Sequence, residues 1–110
     1  MAICSPAVPG AAEAVKQSGR NDVKVVGLGL PNDNKRYVFE GITPAVILWN
    51  TADLGYLAVR TAAAVAAGDL KPGVTLFKAG RLGEMEIKGD NVLLGKPFVF
   101  TKENIGQFDF

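Results

Sequence analysis

Few residues in this chain could carry chemistry. Among its 110 residues there is no histidine and only one cysteine, Cys4, which excludes Ser/His/Asp and Cys/His nucleophilic machinery within the chain and leaves zinc without its usual ligands. Acid–base work would fall to carboxylates or lysines. Asp53, Glu84 and Glu86 sit at a helix start and in a hairpin strand, unpaired at catalytic spacing, and read as solvated charges. No catalytic residue, metal site or cofactor is expected. What remains can bind without reacting: the carboxamide of Asn50, with two donors and an acceptor, beside the flat apolar face of the Trp49 indole. Each has a plainer reading, Asn50 as a helix cap and Trp49 as core packing. Cys4, at the end of a short apolar stub, reads as a small core residue and says nothing about compartment.

The element that must deliver Trp49 and Asn50 is the run from Pro44 to Trp49. Its unbroken apolar stretch, Ala45 to Trp49, predicts a buried mid-sheet strand covered on both faces. In an open parallel sheet ligands gather outside the carboxyl ends of the strands, where this strand would leave the pair. Upstream, the pattern predicts a strand stub at Ala2–Cys4, a loop with Pro6 and Pro9, a helix over 10–18 stopped by Gly19, a strand over 23–28, and a short helix over 32–40 closed by Gly41. Strands and helices alternate three times in about fifty residues, the rhythm of a parallel α/β sheet.

Downstream, a helix is predicted over 51–67, with Leu54, Leu57, Ala58, Thr61, Ala62 and Val65 along one stripe and Asn50 or Thr51 as its cap. Beyond Gly68 the text becomes β-rich: short strands over 75–78, 84–88, 92–94 and 98–101, a turn of helix over 102–105, and a tail whose Phe108 and Phe110 anchor by burial. With 48% apolar and 21% charged residues the chain is globular, and 12 basic against 11 acidic residues give no basic stripe for nucleic acid. No run approaches a membrane span, and the N-terminus lacks the pattern of a signal peptide.

The segments Val25-Val-Gly-Leu-Gly-Leu-Pro-Asn32, Ile47-Leu-Trp-Asn50 and Ala52-Asp-Leu-Gly-Tyr56, with Gly41 and the ending Phe98 to Ile105 and Phe108-Asp-Phe110, resemble the C-terminal part of type I solute-binding proteins of sugar ABC transporters. Within that group the chain is most similar to the rhamnose-binding and autoinducer-binding branch. The resemblance covers nearly the whole chain but about the last third of a family member. It implies an α/β fold, a parallel three-layer sandwich of periplasmic-binding-protein type I, here incomplete and with a β-rich C-terminal part. It also implies two hinged lobes that close on one small polar ligand, with 1–50 in the C-terminal lobe, 51–97 in the N-terminal lobe and 98–110 returning.

Residue by residue, the resemblance puts Asn50 on the ligand, and the flat apolar indole of Trp49 beside it suits a sugar ring. It makes Gly29, Pro31 and Asn32 a second cleft segment and Pro6 and Ala7, in the loop after the first strand, a third, with contacts largely through backbone. Related sugar-binding branches carry an Asp at about position 29, and its absence argues against a simple pentose or hexose. The implied function is non-enzymatic: a rhamnose-like sugar is bound and presented to a membrane permease, in the periplasm or from an extracellular lipid anchor, with no nucleic acid involved. Incomplete lobes would leave apolar faces bare, so self-association or a swapped dimer is expected, and affinity of these residues alone for a free sugar should be negligible.

Two other readings share parts of the pattern. The ligand-sensing domain of a transcription regulator has the same fold but requires a helix-turn-helix, and none precedes Ala2. A nucleotide-binding α/β enzyme fragment is hinted at by Gly27-x-Gly29, yet the third glycine of that fingerprint falls at Asn32, and Pro31 interrupts the turn.

Overall fold

The computed structural model describes residues 1–110, which divide into two units, Met1–Leu48 with Pro97–Phe110 and Trp49–Lys96. The first begins with Ala2, which forms a single parallel bridge to Gly27. The predicted stub ends there, because a turn starts at Cys4 and Ala7 N–H bonds the Cys4 carbonyl at 3.0 Å. Cys4 is exposed, so its reading as a core residue is wrong. Helix α1 spans Ala7–Ser18, earlier than predicted. Pro6 and Pro9 fit this early start, since the first N–H groups of a helix have no intrahelical partner to lose. Gly19, at φ 69°, closes it.

Strand β1 is Val26–Leu28, helix α2 is Pro31–Phe39 and strand β2 is Ala45–Leu48. Proline occupies the first helical position of α2, where its fixed φ suits the helix. β1 and β2 pair in parallel, and β6, Phe98–Phe100, joins the far side of β2 in antiparallel register with Leu48 opposite Phe98. The predicted mid-sheet place of β2 is thus met, although its second neighbour runs the other way. The 3-10 turn after β6 falls at Ile105–Gln107 rather than 102–105.

Both helices lie on one face of this sheet. A Cβ at Gly27 would meet Val8 of α1, Gly27 pairs with Val46, and Val46 packs in the same cluster as Val38 of α2. Val46, Leu48, Phe100 and Ile105 are buried on that side. The opposite face carries Val26, Leu28, Ala45, Ile47 and Val99, and no helix of this unit covers it. β2 is therefore sealed on one face and half-buried on the other, rather than covered on both as predicted. The aromatic tail packs on the sealed side: Phe108 meets Phe100 edge-on at 4.8 Å, and Phe110, predicted to be buried, stays half-exposed beside both rings.

The second unit consists of helix α3, Thr51–Ala66, and an antiparallel sheet in the order β3, Leu76–Lys78, β4, Glu84–Lys88, and β5, Asn91–Val92. In β4, Met85 points into the core while Glu84, Glu86 and Lys88 face out, as alternation predicts. Leu57, Ala79 and Met85 form the core, with Phe77, Leu82, Val92 and Leu94 around it. Of the predicted α3 stripe only Leu57 is buried; Leu54 and Val65 are exposed, Val65 at 57%. The stripe is real in sequence, but only one flank of the helix meets the small hairpin sheet. No helix is long and apolar enough to cross a membrane.

Candidate functional site

In the first unit, Ala2, β1 and β2 run parallel, so the chain leaves all of them at one edge of the sheet. That edge gathers the Cys4–Ala7 turn, the Gly29–Asn32 loop and the end of β2. Gly29 N–H bonds the Ile47 carbonyl at 3.3 Å, and Leu28 N–H bonds the Ala2 carbonyl at 3.0 Å, which ties the three strands together there. Pro6 and Ala7 are exposed at the amino end of α1, which no side chain caps.

The Gly29–Asn32 loop is closely held. Gly29 is buried, and a Cβ at this position would lie 2.5 Å from Asn34 Nδ2 and 3.5 Å from Val46 Cγ1. Its glycine answers to space, since its φ is not positive. Pro31 is buried. Asn32 is exposed but engaged: its N–H bonds the Phe110 carbonyl at 3.0 Å, and its Nδ2 donates to Asp109 Oδ1 at 3.2 Å. Exposed groups of the loop are thus the Leu30 side chain and the rim of Asn32.

In the second unit, Trp49 and Asn50 precede α3. Trp49 is 36% exposed, so it is not fully buried as a core residue would be. Asn50 is the N-cap: Oδ1 accepts from Asp53 N–H at 3.0 Å, and the Asn50 carbonyl takes Leu54 N–H at 3.0 Å. The cap uses the acceptor of the carboxamide and leaves the donors of Nδ2 unspent. Asp53 pairs with Arg81, Oδ1 to Nη1 at 2.6 Å, and the Arg81 guanidinium stands 4.4 Å over the Tyr56 ring. Arg81 N–H also bonds the Tyr56 hydroxyl at 3.3 Å.

Asp53 and Tyr56 share a helix face by their spacing, but Arg81 arrives from the 3-10 turn Gly80–Leu82 after β3. No motif around Arg81 points to it. Chemically, the cluster offers hydrogen-bond donors and an exposed indole and no nucleophile, and no group of three metal-ligating side chains occurs. An open depression of about 670 Å³ runs along β4 and β5, and none of the predicted residues lines it.

A sequence profile of the periplasmic binding protein domain matches residues 1–70. Among solved structures, a sugar ABC transporter from Actinomyces odontolyticus is 35% identical, with 94% of this chain and 34% of that one covered and a TM-score of 0.68. LsrB from Clostridium saccharobutylicum in complex with AI-2 is 27% identical, with 98% of this chain and 39% of that one covered and a TM-score of 0.75. The chain thus spans little more than a third of the length of either structure.

Proposed function

Because this chain belongs to the periplasmic binding protein domain family, we propose that it is the C-terminal portion of a solute-binding protein that delivers a rhamnose-like sugar to an ABC transporter. It binds without catalysis. In the complete protein, acting in the periplasm or from a lipid anchor, two lobes close on the ligand, with residues 1–50 and 98–110 belonging to one and 51–97 to the other. Closure shifts a population because the ligand contacts both lobes only when they are shut. The permease is the receiving partner.

One observation carries this reading: at the first residues after β2, an exposed indole stands beside a carboxamide whose acceptor is used and whose donors are free. A sugar offers the matching chemistry, a ring face of C–H groups and hydroxyl oxygens that accept hydrogen bonds. The exposed rim of Asn32 and the backbone of Pro6 and Ala7 add further ligand contacts, with the buried Gly29 and Pro31 shaping the loop that carries Asn32. The likeness to a sugar ABC transporter and to an AI-2 complex supports a small polyol as ligand. Taken alone, the 110 residues associate with a second copy through a bare apolar face.

Calorimetric titration of the complete gene product with L-rhamnose, other deoxysugars and AI-2 tests the reading. Asn50→Asp keeps the cap and loses the donors, so it should retain thermal stability and bind about tenfold more weakly. Asn50→Ala should lose the same affinity and also about 1 kcal/mol of stability. Silence with every polyol, or full affinity in Asn50→Asp, would overturn it.

A further inference from the structure

Asn34, in the first turns of α2, is completely buried. Its Nδ2 donates to the Leu30 carbonyl at 2.8 Å, while its Oδ1 is enclosed and meets no donor of the protein. A buried amide with half its capacity unspent lowers stability, and an apolar side chain of similar size would avoid that loss. Places where a sequence accepts such a loss are where function is to be sought. The carbonyl that Asn34 holds belongs to the Gly29–Asn32 loop. The fit between them is close: a Cβ at Gly29 would crowd the same Nδ2 at 2.5 Å, and the ordinary backbone angle of Gly29 gives no other reason for glycine.

We propose that Asn34 is a positioning residue for the candidate ligand loop, and that Gly29 and Asn34 act as a coupled pair. The carboxamide fixes the Leu30 carbonyl from beneath, and the tail holds Asn32 from outside through the Phe110 carbonyl. Held at both points, the loop presents its backbone in one conformation, which lowers the entropy a ligand must remove on binding. The functional half of this inference rests on the sugar-binding reading above; the positional half stands on geometry alone.

Asn34→Leu separates positioning from packing. Amide hydrogen exchange on the 110-residue chain should quicken about tenfold at Gly29 and Asn32, whose N–H groups are bonded, while the Tm stays level or rises. Asn34→Ala serves as a second variant should leucine overpack, with the same exchange pattern expected. Gly29→Ala should lower the Tm in the wild-type background and do so less in Asn34→Ala, the mark of coupled neighbours. In the complete gene product, whichever of L-rhamnose or AI-2 the wild type binds should bind Asn34→Leu about tenfold more weakly. Unchanged exchange with a lower Tm would make Asn34 an ordinary core residue and end the proposal. Full affinity in a variant whose loop exchange has quickened would overturn its functional half. A wild type that binds neither probe would overturn the sugar-binding reading and the functional half with it, leaving the exchange and coupling measurements to decide the positional half.

Discussion

Glu13 shows how a single carboxylate can tie two helices. Its Oε2 accepts from Arg36 Nη2 at 2.5 Å and from the Tyr37 hydroxyl at 2.8 Å, and its Oε1 accepts from Gln17 at 3.1 Å. The Tyr37 hydroxyl, which donates to it, is the chief reason its pKa lies below the ordinary 4.5; Gln17 adds to this, desolvation opposes it, and the Arg36 and Lys16 charges are the smaller lowering causes. A carboxyl whose folded pKa is depressed contributes stability above its unfolded value and loses that contribution as pH falls through the folded one. The Tm gap between wild type and Glu13→Gln should therefore be open at about pH 7 and narrow below about pH 4.5. A gap that stays constant down to about pH 3 would refute this account of the α1–α2 tie. Tyr37 responds in the opposite sense, its pKa raised chiefly by the same hydrogen bond, so its share fades only as the solution becomes strongly alkaline.

Helix α3 has almost no charged face: between Thr51 and Ala66 only Asp53 and Arg60 interrupt apolar and small residues. A helix apolar all round is normally buried all round. Here one flank meets the hairpin sheet through Leu57, which is 3% exposed, while Val59 and Val65 stand in solvent. The two flanks should answer differently to truncation in urea unfolding of the chain. At concentrations low enough to keep the chain monomeric, Leu57→Ala should cost about 2–5 kcal/mol, the usual range for a buried leucine, and Val65→Ala should stay within about 0.5 kcal/mol. Equal losses at both positions would mean that the outer flank is packed in solution.

At the scale of the whole molecule, one bare apolar surface matters: the outer flank of α3, where Leu54, Val59 and Val65 are exposed. Surfaces of this kind mark places where another chain docks. Sedimentation of the isolated 110 residues should show a dimer that grows with concentration, and Val59→Lys with Val65→Lys should return it to monomer. A monomer at all concentrations would refute the self-association.

Local physics made much of this protein legible in advance. Strand β4, its alternating faces, the cap at Asn50 and the central place of β2 follow from periodicity and side-chain chemistry that act within a few residues. The match of residues 1–70 to the periplasmic binding protein domain agrees with the resemblance seen in the Val25–Asn32 and Ile47–Asn50 segments. Other features depend on partners far along the chain. That Cys4 is exposed, that only Leu57 of its stripe is covered, that Arg81 reaches Asp53 and that the tail grips Asn32 could be decided only by the tertiary structure. Sequence specifies which groups seek burial or a hydrogen bond, because that is a property of each side chain and its immediate neighbours. Which of those demands are met depends on what the fold brings within a few ångströms, and that is set by contacts between residues distant in the chain.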